Sequence, residues 1–192
     1  MIETEKKKLL AKKSEYLSIG ITEGGVPCGT TPIPWEKTVH AHNMKLPDVY
    51  LAPEDLSDEK ILKTLHGYRV IGCYIYTSLE SYAFLASFTE IRDLSIRAAS
   101  GLENLDFLPE LSECGMLSLE GARLDNLDAV AELKKSTRGI FAPVRCLGLC
   151  DCEIEDISSL KALSFSELIV WGKGDRERWS EIPASTHGYY EL

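Results

Sequence analysis

The stretch IRDLSIRAASGLENLDFLPEL, residues 91–111, holds two spacings in one sentence of sequence. Ile91, Leu94 and Ile96 set apolar residues at steps of three and two, as in a short strand that buries one face. Leu102, Leu105, Leu108 and Leu111 then recur at steps of three, as in a 3-10 or short α segment returning along the other side. One such unit cannot bury its own apolar face, so the fold turns on whether copies of it occur elsewhere.

They do. Moved 23 residues back, the spacing falls on Tyr68, Ile71 and Cys73, then on Leu79, Tyr82, Leu85 and Phe88. Moved 23 residues forward it gives Cys114, Leu117 and Leu119, then Leu124, Leu127, Val130 and Leu133. A further copy runs through Val144, Leu147, Leu149, Ile154, Ile157, Leu160 and Leu163, and Phe165, Leu168 and Val170 open a last strand. Val49 and Leu51, with Leu56, Ile61, Leu62 and Leu65, make a looser first copy. The strand starts are separated by 22, 23, 23, 30 and 21 residues. Stacked copies share one continuous core.

With L-x-x-L-x-L followed by further Leu positions, residues 49–170 resemble the leucine-rich repeat family, in short bacterial-type repeats of about 21–23 residues. The resemblance implies an α/β fold: a right-handed solenoid with a parallel sheet on one face and short α or 3-10 segments on the other. It also implies a non-catalytic module that binds a protein partner on the exposed sheet face. Where the family usually carries Asn or Cys, this chain has Tyr76, Ala99, Ala122 and Cys152, so an asparagine ladder is not expected there.

The expected organisation is an N-terminal helix and irregular capping segment over residues 1–48, a solenoid over 49–171 and a capping tail over 172–192. Residues 4–18 read as a helix with few apolar positions. Residues 19–48 hold four of the eight prolines, which break helix and central strand alike, and Trp35 is their expected anchor. Ser57 and Ser78 read as N-caps, Gly67 as a helix stop, and Pro109 as a sign that its return segment is short.

Composition bounds the function. A formal charge of -9 speaks against a nucleic-acid surface, which needs clustered Lys and Arg. No run approaches the ~18 to 20 apolar residues of a membrane span, and the start lacks the apolar centre of a secretory signal, so a cytoplasmic protein without membrane contact is expected. Six cysteines without a C-x-x-C pair point to free thiols. No phosphate loop, dinucleotide fingerprint or nucleophile elbow is present, and neither a cofactor nor a metal is expected. His40 and His42 stand in "HAH" without partners for a ligand set.

Alternation of the strands assigns the partner surface. Residues between the buried Leu positions form columns: Val70, Asp93, Met116, Cys146, Glu167; then Gly72, Ser95, Ser118, Gly148, Ile169; then Tyr74, Arg97, Glu120, Cys150, Trp171. The expected contact set is Tyr74, Arg97, Met116, Glu120 and Trp171 around a small floor of Ser95 and Ser118, with Arg97 and Glu120 paired across strands. Cys146 and Cys150 are expected on this open face, ~13 Å apart and too far for a disulfide. They would centre the rival reading, a thiol-dependent small enzyme or redox sensor. Residues 134–143, the surplus of the long spacing, are a second contact candidate. Self-association of a structural subunit into a homo-oligomer, through the flat face or a free edge, is a third reading.

Overall fold

The computed structural model describes residues 7, 9, 11, 15–27, 47–111, 113–133, 144–172 and 176–190. Trp35, His40, His42 and the 134–143 segment lie outside them. Among the described residues are ten strands: β1 (Tyr16–Ile21), β2 (Val49–Leu51), β3 (Arg69–Ile75), β4 (Ile91–Ile96), β5 (Met116–Glu120), β6 (Arg123–Asn126), β7 (Cys146–Cys150), β8 (Glu153–Asp156), β9 (Phe165–Trp171) and β10 (Ala184–Tyr190). Short helices among the described residues include α1 (Glu59–Leu65), α2 (Asp128–Glu132) and α3 (Arg176–Ser180), and most other returns there are 3-10 turns. Eight strands form one sheet in the order β2-β1-β3-β4-β5-β7-β9-β10, and β6 pairs with β8 in a second, two-stranded sheet. Every one of these pairings is parallel. The expected α/β class with a parallel sheet is therefore what forms.

Two rows of side chains build the core. Val49, Ile19, Cys73, Leu94, Leu117, Leu147, Leu168 and His187 stand in register across all eight strands. Two residues further along, Leu51, Ile21, Ile75, Ile96, Leu119, Leu149, Val170 and Tyr189 form the second row. The apolar cluster that includes most of these residues runs unbroken from Leu9 to Ile182. Each strand supplies two rungs and each return supplies the residues that close over them, so no repeat is stable without its neighbours.

Polar turns repeat with the same period. Ser81, Asn104, Asn126 and Asp156 each accept the backbone N–H of the residue two ahead, on Ala83, Asp106, Asp128 and Ser158, at 3.2, 3.1, 3.0 and 2.8 Å. These side-chain turns start the return segments and take up amides that a short turn leaves unpaired. A second repeated device follows the strands. Ala98, Gly121, Asp151 and Gly172, each two residues past the second core row, have positive φ of 54°, 72°, 51° and 124°. The chain leaves the sheet through a left-handed residue, which glycine adopts freely and alanine only at a cost.

Several expectations are corrected. Residues 16–18, read as the end of a helix, belong to β1, and Leu17, Ser18, Ile19 and Ile21 are completely buried. Lys7, Leu9 and Ala11 are helical, and the Leu9 carbonyl accepts the Tyr68 hydroxyl at 2.9 Å. β1 lies between β2 and β3, so the Val49 strand is not the neighbour of the next copy, although their spacing along the chain suggested it. β3 pairs two residues away from the expected register: Cys73, not Ile71, faces Leu94, and Ile75 faces Ile96. A register shift opposite Leu17 and Ser18 leaves Ile71 unmatched while Val70 enters the core. The α1 cap is Asp58, whose carboxylate takes the amides of Lys60 and Ile61, whereas Ser57 ends a 3-10 turn. Ser78 caps nothing, because the return after β3 begins at Ala83. Gly67 does follow the end of α1, and Pro109 does sit in a three-residue turn. Residues 184–190, read as tail, form the last strand of the sheet.

Candidate functional site

The sheet face opposite the main core is where the predicted partner residues gather. Alternation places Gly72, Asp93, Met116, Cys146 and Glu167 in one row, Tyr74, Ser95, Ser118, Gly148 and Ile169 in the next, and Glu120, Cys150, Trp171 and Tyr190 in a third. The first two rows differ from expectation only at β3, which has moved by one pleat. Tyr74 thus sits beside Ser95 instead of Arg97, and Tyr76 takes the place beside Arg97. The Arg97 guanidinium lies over the Tyr76 ring at 5.2 Å, and the Tyr74 and Tyr76 rings stack at 6.5 Å.

This face is closed, not open. Tyr74 retains 2% exposure, and Ser95, Ser118, Met116 and Trp171 are also buried. The Tyr74 ring lies across Gly72, where an added Cβ would stand 2.6 Å from the Tyr74 Oη. Glycine at 72 is what lets the ring lie flat. Trp171 stacks under Tyr190 with ring centres 4.6 Å apart and planes 17° apart. Met116, Cys146, Cys150, Ile169 and Trp171 together form a second, small apolar core on this side of the sheet. Of the predicted contact set only Arg97 and Glu120 remain partly exposed.

Burial decides the thiol question. Cys146 and Cys150 are 9% and 5% exposed, so the expected open placement does not hold. Desolvation pushes both thiols up to about 11, with Glu167 beside Cys146 and Glu120 beside Cys150 adding to the rise. At pH 7 about one such thiol in ten thousand is ionised, and the thiolate is the nucleophile. Cys152 is half-buried, and its Sγ lies 3.4 Å from the Leu119 carbonyl and 3.3 Å from that of Cys150. Desolvation raises it to about 11 as well. Cys73 and Cys114 fill the main core, where burial raises both still further. Among the described residues, no group of three or more His, Cys, Asp or Glu is placed to hold a metal ion.

What stays accessible are the two ends of the third row and the returns. Tyr76, Arg97 and Glu120 are partly exposed at the carboxyl ends of β3, β4 and β5, and Tyr190 is 51% exposed at the end of β10. Across the return side runs a groove of about 510 Å³ lined by Glu103, Asp106, Glu110, Asp125, Asp128 and Glu132. It lies between the turns that Asn104 and Asn126 organise, so the acids are spaced by the repeat. Sequence reasoning missed Tyr76 because the β3 register was ambiguous, and missed Tyr190 because its strand carries no aliphatic ladder. Among the described residues no helix is long and apolar enough to cross a membrane. Comparison with family models, with curated proteins and with solved structures finds no match to this chain.

Proposed function

We propose that this chain is a short leucine-rich-repeat solenoid that serves as a non-catalytic protein-binding module. Its partner meets the row Tyr76, Arg97 and Glu120 at the carboxyl ends of the strands, not the floor of the sheet. One observation carries the reading: Arg97, the residue that follows β4, holds its guanidinium over the Tyr76 ring and stays partly exposed beside an otherwise closed face. Tyr and Arg are the types enriched at the energetic centres of protein interfaces. Pre-ordering by the sheet lowers the entropy that such side chains lose on binding. The suppressed ionisation of Cys146 and Cys150 weighs against the thiol-dependent reading.

The test is capture of a partner by the immobilised chain, with a photo-reactive amino acid at position 97 to locate the contact. Partner cross-links from position 97 are expected. Arg97→Ala should weaken binding by about 1 to 3 kcal/mol, that is roughly 5- to 160-fold. Unchanged binding by the Tyr76→Ala, Arg97→Ala double variant, with its fold intact, would remove this row from the interface.

A further inference from the structure

We draw no further inference here: the strongest candidate, the acidic groove of about 510 Å³ between the return turns that Asn104 and Asn126 organise, is a cluster of carboxylates beside which nothing among the described residues points to a ligand.

Discussion

Replacing Ile19 with alanine tests whether β1 is a wrapping segment or a rung of the sheet. Ile19 is fully buried and faces Val49 on one side and Cys73 on the other. The substitution removes three carbons, about 0.8 kcal/mol each in transfer free energy, or about 2.4 kcal/mol in all. A cavity between two flanking strands cannot close without breaking their ladders, so the residual void brings the loss to about 3 to 5 kcal/mol. In urea, with a slope of about 2 kcal/mol per molar, the unfolding midpoint should fall by roughly 1.5 to 2.5 M at unchanged slope. Val26→Ala, at a position 44% exposed just past the strand, is the control and should stay within about 0.5 kcal/mol. A midpoint shift for Ile19→Ala no larger than the control's would refute the placement of β1 inside the sheet.

The turn ladder and the strand exits give predictions of opposite sign. Asn126→Ala removes the acceptor for the Asp128 amide and should cost about 1 kcal/mol by chemical denaturation, while Asn126→Asp, which keeps the acceptor, should be nearly neutral. Ala98→Gly relieves a positive φ at an exposed site and should raise stability by about 0.5 to 1 kcal/mol; a loss would show that φ is not held there. The thiols of Cys146, Cys150 and Cys152 are raised from 9.0 to about 11 in the fold, so the native state keeps protons that the unfolded chain releases. Their contribution is intact below pH 9 and declines as pH climbs from about 9 to 11, and replacing the three together with Ser or Ala should flatten that alkaline decline. Maleimide labelling of Cys146 and Cys150 at pH 7 should be slow in the native protein and fast after unfolding, and rapid native labelling of Cys150 would contradict its burial.

How much of this was legible depends on how many apolar residues compete for one register. Around β4, β5 and β7 the ladder positions hold Leu or Ile and the residue between them is Ser or Gly, so their mutual register follows from the sequence. In β3 and just before it, Tyr68, Val70, Ile71, Cys73 and Ile75 are all apolar. Two placements one pleat apart then satisfy the same spacing, and the shift opposite Leu17 and Ser18 decides between them only in three dimensions. β1 spells Leu17-Ser18-Ile19-Gly20-Ile21, an alternation as clear as that of β4, but the lysines before it and the prolines after it are signals of a helix and a loop. β10 fills the two core rows with His187 and Tyr189, which local spacing cannot mark as rungs. The closure of the opposite face was illegible for a different reason. Alternation tells which side a residue takes, but it does not show that Tyr74 will lie across Gly72 or that Tyr190 will stack on Trp171. Of the expected contact residues, Arg97 and Glu120 keep part of their exposure because they stand at the ends of the strands, away from the small apolar core.

The central claim is that two rows of side chains run unbroken across eight parallel strands, with β1 between β2 and β3. Interstrand nuclear Overhauser contacts between backbone protons measure this directly. Contacts linking Ile19 to Val49, Ile19 to Cys73, and Cys73 to Leu94 are predicted, with the offsets of a parallel ladder. Contacts linking Ile71 to Leu94, or β2 directly to β3 with none from β1 to either, would contradict the account.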